Sequence, residues 1–418
     1  MTRSSSPDPL QIDPLVTDIV DTAYRRPQPT STETIAALLL DFLANAHRRG
    51  AVGPLLHSPR LETIGLAAAA AHHHDLDDVH WPTLTHPGSI VWPGVLAYGA
   101  SHCNGRQVMR AATVGYDVTA EVAGLIAAAG IDRWHRTALA GHAGASAAAA
   151  LTRGFDDRQC ARAVALSLTV AGGVGQTIAE RSPAGGFHRA CAARNGAAAV
   201  DFTAAGVTAP LGVLSGPAGL IAACGGSLPA RAATGVNQRP AIEQSTIRVY
   251  PTNGFAQAAV AATVRARRRF DDPVADISVE VHPAVIAQFR APPASRHWDL
   301  LASVRNAWST GDPWTVDRQD LDPRTVTATL QEHDGLAVGD AQVTVRAGSD
   351  ELTVRVDSDF SHPHVEMALA LEKWSRQGAV RPDERHALLT GWLSSDEIAD
   401  PQIFSVGGAD DTDRSLRR

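Results

Sequence analysis

The segment ALAGHAGASAAAALTR (138–153) is built almost entirely from small residues: ten of its 16 positions are Ala or Gly. A helix with so little side chain gains little from an apolar face of its own. It is stable only where neighbouring helices come close enough to touch its backbone. The same composition recurs at 157–171, 189–205 and 217–224, which predicts a compact bundle of closely crossing helices. Two more ordinary amphipathic segments come earlier, IDPLVTDIVDTAY (12–24) and ETIAALLLDFLANAHR (33–48), with apolar residues at i, i+3, i+4 spacing. Ser31 or Thr32 is the expected N-cap of the second, and Gly50 its stop. Gly154, Gly206 and the Gly225–Gly226 pair stand where further helices should end. The likeness between 138–157 and 194–210 follows from shared alanine richness rather than from a repeat.

Around residue 246 the period shortens to two. ISVEVHP (277–283), TVTATLQ (325–331), AQVTVRA (341–347) and ELTVRVD (351–357) alternate β-branched and polar residues, as half-buried strands do. Gly348-Ser349-Asp350 supplies a hairpin turn between the last two. Helical patterning returns at 363–376 and 382–394. The expected fold is mainly α: a large all-helical domain, 1–245 plus 362–405, into which a smaller α+β domain, 246–361, is inserted. The stretch 406–418 reads as a disordered tail.

At 418 residues, with 44% hydrophobic and 19% charged residues, the chain has material for a sizeable soluble core. A net charge of −7 gives no electrostatic footprint for nucleic acid or an anionic membrane. No stretch offers the ~20 uninterrupted apolar residues of a membrane span. The start, MTRSSSPDPLQ, lacks the apolar core of a signal peptide. The four cysteines, Cys103, Cys160, Cys191 and Cys224, show no CxxC spacing. The expected setting is the cytoplasm, with reduced thiols. Of 37 basic residues only Lys373 is lysine, in LEKWSRQ at the end of a helical segment, where a solvated side chain is expected. Schiff-base and pyridoxal-phosphate chemistry, which need a lysine in a pocket, are thereby disfavoured.

Titratable residues gather in four places. The densest is HHHDLDDVHWPTLTHPG (72–88), with five histidines and three aspartates. Its order fits no closed zinc pattern and no HExxH motif, and three consecutive histidines point in different directions on any backbone. An acid/base reading is available, because imidazole exchanges protons near neutral pH and a nearby aspartate orients it. The residues by themselves leave that reading beside a plainer one, a polar helix-to-loop junction with capping aspartates. RWHRTALAGHAG (133–144) places His135 and His142 at an alanine-rich helix, whose N-terminus suits a carboxylate ligand. ERSPAGGFHRACAARNG (180–196) carries His188, Arg189 and Arg194 after a flexible Gly185-Gly186 pair. IRVYPTNGF (247–255) lies at the domain junction, where Arg248 can hold an anion in bidentate fashion. AGGVGQTIAE (171–180) lacks the third glycine of a dinucleotide loop, and GVLSGPAG (212–219) is not GxSxG.

Taken in order, these clusters resemble the MmgE/PrpD family, which contains 2-methylcitrate dehydratase, cis-aconitate decarboxylase and iminodisuccinate epimerase. The resemblance is carried by AAAAAHHHDLDDVHWPTLTHPGSIVWPGVLA, GYDVTAEVAGLI, RWHRTALAGHAGASAAAA, FHRACAARNGAAAVDFTAAGVTAP, LSGPAGLIAA and VYPTNGFAQAAVAA, with LLLDFLANA near the start; it spans roughly 12–395. It implies that the inserted α+β domain is a lid and that the protein is a homodimer. It also puts Asp75, His86 and His135 on active-site positions. The chain departs from the pattern at Val79, where the family has threonine, and at Gly185, where a lysine is usual. Arg248 stands for a lysine, Asn253 for a histidine of the decarboxylase branch, and Leu301 near a lost lid tyrosine. The linker between 50 and 60 is shorter than the family's.

The resemblance implies a lyase or isomerase that needs no cofactor and no metal and moves a proton α to a carboxylate or carbonyl of a small acid. His86 and His135 are the expected acid and base, Asp75 orients an imidazole, and Arg248 anchors an anionic group. His188, Asn253, Asp77 and His80 complete the expected substrate contacts. One alternative is an altered member serving as a specialised-metabolism cyclase or as a non-catalytic binding protein; another is metal-assisted hydrolysis at 72–86. Elemental analysis of the purified protein is expected to find no stoichiometric metal, and one bound ion per chain would establish the hydrolytic reading instead.

Overall fold

In a computed structural model, residues 11–29, 31–180, 182–229, 239–271, 274–289, 298–314, 325–358 and 363–407 are described. They form sixteen α-helices and two small sheets, a mainly α architecture. α1 (Pro14–Arg25) begins on a proline, and the Asp13 carboxylate accepts from the Leu15 N–H at 3.0 Å. α2 (Thr32–His47) begins at Ser31, whose Oγ accepts from the Thr34 N–H at 3.2 Å. Gly50 follows at a φ of 67°, the left-handed backbone that ends a helix. After the short α3 (Val52–His57) come α4 (Leu61–Ala71), α5 (Gly88–Gly99), α6 (Gly105–Ala128), α7 (Arg136–Thr152) and α8 (Asp157–Leu168). The one-turn α9 (Gln176–Ala179) precedes α10 (Gly185–Ala204), and α11 (Leu220–Ala223) follows.

α7, the alanine-rich helix, packs against α5, α6, α8 and α10, and its crossings run through glycine. A Cβ on Gly144 would lie 1.9 Å from Thr119 Oγ1 and 2.5 Å from the Gly115 carbonyl of α6. A Cβ on Gly196 of α10 would lie 2.6 Å from the Ala145 Cβ and 2.8 Å from the His142 carbonyl. Backbone therefore meets backbone where these helices cross, as the small-residue composition requires. Buried side chains form two apolar clusters beside α7. One joins α1, α6, α7 and α8. The other runs from α2, α4 and α5 through Val249 and Tyr250 to the larger sheet.

The smaller sheet is a two-residue ladder, β1 (Val79–His80) paired antiparallel with β2 (Ser245–Thr246). α12 (Gln257–Arg267) leads to the larger sheet, in strand order β4-β3-β5-β6. β3 (Ala275–Val281) and β4 (Val326–Glu332) run parallel, and their connection carries α13 (Pro283–Gln288) and α14 (Leu300–Thr310), the long crossover that parallel strands need. β5 (Ala341–Ala347) and β6 (Asp350–Val356) form a hairpin whose loop is Gly348-Ser349, with Gly348 at a φ of 59°. Ala275, Ile277, Val279 and Val281 of β3 are buried, and α12 and α14 pack on this sheet. Finally α15 (Pro363–Arg376) and α16 (Pro382–Leu393) return to α2.

Three expectations change here. The boundary drawn at 246 falls inside β2, and the apolar core is continuous across it. Val406 is buried and its carbonyl accepts from the Val380 N–H at 2.8 Å, so the ordered chain runs past the start of the expected tail; 408–418 lies outside the described residues. Lys373 is not solvated but fully buried. α15 turns this side chain with Ala370 and Trp374 toward α2, where its Nζ lies 2.6 Å from Asp41 Oδ1 and donates to the Leu76 carbonyl at 2.7 Å. The four cysteines are free thiols, and no helix among the described residues is long and apolar enough to cross a membrane.

Two helical glycines test the packing argument with opposite signs. Gly144→Ala should destabilise the protein by about 2–3 kcal/mol, because its methyl meets the fixed backbone of α6. Gly391→Ala, exposed in α16 with nothing within 4 Å of the added Cβ, should stabilise it by about 0.5–1 kcal/mol. Denaturant unfolding of both variants measures the two differences.

Candidate functional site

The site grows from the end of α4. After Ala71 the chain enters a tight turn, His73–Asp75, in which His74 and Asp75 both adopt left-handed backbone, at φ of 61° and 56°. Non-glycine residues hold that conformation only where surrounding contacts enforce it. The enforcement comes from beneath, where Lys373 Nζ at 2.7 Å and Asn45 Nδ2 at 3.0 Å both donate to the Leu76 carbonyl. β1 then pairs Val79 with Thr246. Extending that register by two residues brings Arg248 opposite Asp77. Arg248 Nε donates to the Asp77 carbonyl at 2.6 Å, and its Nη2 donates to Asp77 Oδ1.

Asp77 is also reached from α10 and α5. Arg189 Nε donates to Asp77 Oδ2 at 2.8 Å, and Ser89 Oγ donates to the same oxygen at 2.8 Å. His72 Nδ1 lies 2.9 Å from Asp77 Oδ1, while its Nε2 lies 3.6 Å from Asp75 Oδ1. Asp75 in turn faces Arg248 Nη1 at 3.4 Å. Two arginines, two aspartates and an imidazole thus form one buried cluster.

Three further imidazoles border it. His86 Nδ1 lies 2.8 Å from the Asp78 carbonyl, which can only accept, so Nδ1 carries the proton and Nε2 the lone pair. The Asp78 carboxylate accepts from the Gly88 N–H at 2.9 Å and from the Tyr116 hydroxyl at 2.8 Å. A Cβ on Gly88 would lie 2.7 Å from Asp78 Oδ1, which explains glycine in the HPG sequence. His135 caps α7; its N–H donates to the Gly173 carbonyl at 2.8 Å, and its Nδ1 lies 3.0 Å from His188 Nδ1.

Burial opposes charge on Asp77, but Arg189, His72 and Arg248 outweigh it and hold the carboxyl well below its ordinary range. Asp75 is lowered in the same way, burial being overcome by His72 and Arg248. Burial, with the charge of Arg248, pushes His86 down to about 3. Burial and the charge of Arg189 push His135 well down, and the same two causes lower His188. Burial raises Asp78 to about 7. The charge of Arg189 contributes to the shifts of Asp75, Asp77, His86, His135 and His188 alike.

Of the residues expected from sequence, Asp75, Asp77, His86, His135, His188 and Arg248 come together. Asn253 is buried at the head of the turn Gly254–Ala256, where a Cβ on Gly254 would lie 3.9 Å from Arg248 Cδ. His80 does not join the cluster: its Nδ1 meets Thr83 Oγ1 at 2.7 Å, and the charge it feels is that of Arg26. The imidazole that faces Asp75 is that of His72, at 3.6 Å, while His86 is held by the Asp78 carbonyl. His142 is structural, its Nδ1 donating to the Ala138 carbonyl at 2.7 Å within α7.

Sequence reasoning assigned no role to His72 or to Arg189. Its clue was spacing: Arg189 stands one helical turn after Gly185, where the resemblance leads one to expect lysine. A Cβ on Gly185 would lie 3.4 Å from Arg189 Nη1 and 3.3 Å from His72 Nε2. Arg189 thus brings a cation to the space that side chain would enter. His72, Asp75 and Asp77 also offer ligand atoms within 4.8 Å of one another. Both Asp77 oxygens, however, already accept from Arg189, Arg248, His72 or Ser89, and two guanidinium charges oppose a cation there. An open depression of about 580 Å³ between α1 and α8, lined by Ile12, Thr17, Asp157 and Arg158, holds none of these groups.

Residues 64–232 match the family model described as the MmgE/PrpD N-terminal domain. The matched stretch carries every residue of the cluster except Arg248. No curated protein matches the chain.

The buried imidazoles tie stability to pH. His80 and His142 are pushed down to about 4 and His86 to about 3, burial being the main cause in each case. Below about pH 6.5 these three imidazoles are therefore protonated in the unfolded chain but not in the folded one, which opposes the fold there. The stability they contribute above that pH is expected to be lost as the pH drops toward 4. His142→Gln should flatten the slope by one proton, about 1.4 kcal/mol per pH unit, in denaturant melts across that window. An unchanged slope would show that His142 is not held neutral.

Proposed function

The chain belongs to the MmgE/PrpD family, whose members are generally lyases such as dehydratases, and on that premise we propose that it is a cofactor-free lyase or isomerase. It moves a proton α to a carboxylate or carbonyl of a small acid. The observation that carries this reading is the gathering of two neutral imidazoles, His86 and His135, with Arg189 and Arg248. Arg248 anchors the substrate carboxylate or carbonyl through Nη1, its most loosely paired nitrogen, 3.4 Å from Asp75. His86 removes the α-proton with the lone pair on Nε2, since Nδ1 is committed to the Asp78 carbonyl. The charge left behind spreads onto the anchored oxygens, where the guanidinium groups stabilise it.

A bound anion raises the proton affinity of nearby imidazoles. In the bound state His135, paired with His188 at 3.0 Å, therefore delivers a proton to a leaving hydroxyl or to the opposite face of the carbanion. Schiff-base chemistry remains disfavoured, now because Lys373 is buried against Asp41. In the same proposal 246–361 acts as a lid: a Cβ on Gly339, between β4 and β5, would lie 2.8 Å from the Trp81 ring of the site loop. The homodimer and the cytoplasmic setting belong to this proposal as well. That Asp75, His86 and His135 all feel the charge of Arg189 supports an enzyme over a non-catalytic binding protein.

The test is α-proton exchange into D2O and product formation, followed by mass spectrometry on a panel of small carboxylic acids. His86→Ala and His135→Ala should each keep the wild-type circular dichroism spectrum; His86→Ala should lower exchange, and His135→Ala turnover, by about 100-fold or more. Wild-type turnover in His135→Ala would sink the assignment.

A further inference from the structure

The contact between His135 and His188 has a property that neither ring has alone. Their Nδ1 atoms lie 3.0 Å apart. Both nitrogens cannot be bare at that distance, because two lone pairs repel, and both cannot carry hydrogen, because two N–H groups would point at one another. One proton therefore lies between them, and the ring that owns it determines the tautomer of both. With the proton on a neutral His188, Nδ1 of His135 accepts and its Nε2 carries the N–H, ready to give a proton. With the proton on His135, its Nε2 has the lone pair instead.

The surrounding chain brings these two nitrogens together. The stretch AGGVGQ (171–176) crosses the pair: the Gly173 carbonyl accepts from the His135 N–H at 2.8 Å, the Gly175 N–H donates to the Arg133 carbonyl at 2.9 Å, and Val174 bridges to Trp134. A Cβ on Gly173, at a φ of 130°, would lie 2.7 Å from the Ala138 Cβ and 3.3 Å from His188 Nδ1, so a side chain there would crowd the contact. The two rings differ in their access to water. His135 is buried, whereas His188 is half-buried beside the exposed Phe187. Nε2 of His188 lies 3.4 Å from Thr177 Oγ1, a hydroxyl that can donate or accept and so suits either tautomer. Nε2 of His135 has no hydrogen-bond partner among the described residues.

We propose that His188 works through His135 as its proton partner rather than as a substrate contact. The inference rests on the proposed reading of His135 as the acid of the site. As His135 Nε2 passes its proton to the leaving hydroxyl or the carbanion, His188 Nδ1 passes its own to His135 Nδ1, and His188 Nε2 takes one from the solvent. The N–H bonds broken at His135 Nε2 and His188 Nδ1 are replaced by bonds formed at His135 Nδ1 and His188 Nε2, so both rings begin and end neutral. After product leaves, the reverse transfer, from water at His135 Nε2 to water at His188 Nε2, restores the starting tautomers. The advantage is electrostatic. Burial and the charge of Arg189 oppose an imidazolium at either ring, and this route forms none. A bound anion favours the forward direction by drawing the shared proton toward His135.

Two measurements on the full chain test the relay. In 15N-histidine-labelled protein without substrate, NMR should show the two Nδ1 nuclei coupled through one shared proton, and His188→Ala, with its fold checked by circular dichroism, should lack that coupling. Uncoupled Nδ1 nuclei in the wild type overturn the inference. On the acid of the panel that turns over, His188→Ala should lower kcat about tenfold or more with KM unchanged. Added imidazole, entering the space left by the ring, should then raise the rate with its concentration while leaving the wild type unaffected. A kcat unchanged in His188→Ala overturns the inference; so does a raised KM at unchanged kcat, which returns His188 to substrate contact. A loss that imidazole leaves untouched marks His188 as structural and overturns it too. Turnover that survives in His135→Ala is a failure of the functional reading itself, whereas turnover lost there but kept in His188→Ala is a failure of the relay alone.

Discussion

Everything at the centre of this protein depends on the carboxylate of Asp77. It joins three segments distant in sequence: the loop after α4, α10 through Arg189, and the chain after β2 through Arg248. A buried ion pair contributes little net stability, because desolvation offsets most of the attraction. Removing one partner, by contrast, strands a charge at a cost of about 3–5 kcal/mol. The network is therefore better understood as a device for position than as a source of stability. It fixes two guanidinium groups, whose charge adds to burial in lowering the proton affinity of His86 and His135.

A second buried pair supports the first. Lys373 and Asp41 lie below the site loop, with Trp374 Nε1 donating to Asp41 at 3.0 Å. Burial pushes the lysine down and the aspartate up, each toward its neutral form. What the pair provides is the hydrogen bond from Lys373 to Leu76, beside two residues in left-handed backbone. The last long helices of the chain thereby hold the geometry of a loop some 300 residues earlier. The glycine-lined crossings of α6, α7 and α10 have a similar consequence, since His135 begins α7 and Arg189 lies on α10. A wider crossing would separate the two.

Much of the architecture was legible in the sequence because its causes are local. Apolar period, Ser31 as N-cap, the glycines at 50, 154 and 206, and the alternating strands after 275 all act within a few residues. The candidate cluster was legible in part. Asp75, His86, His135 and Arg248 stood out through their resemblance to known motifs. His80 also stood out, as a histidine in a polar run, yet its neighbours are Thr83 and Arg26. His72 was hidden in a run of three histidines, because which of them turns inward depends on the backbone of the turn. Lys373 was misread because its helix ends in polar residues, while the partner that buries it, α2, is far away in the chain.

By itself the sequence determined the helical class, the closeness of the helix crossings, the strands after residue 275 and the residue types available for proton transfer. These follow from side-chain size, period and capping, which act over short distances along the chain. Only the tertiary structure decided which carboxylate faces which cation. Charge pairing depends on distances of a few ångströms between segments that the chain separates by more than a hundred residues. For the same reason the charge state of the imidazoles and the net charge of the site belong to the fold, not to any one motif.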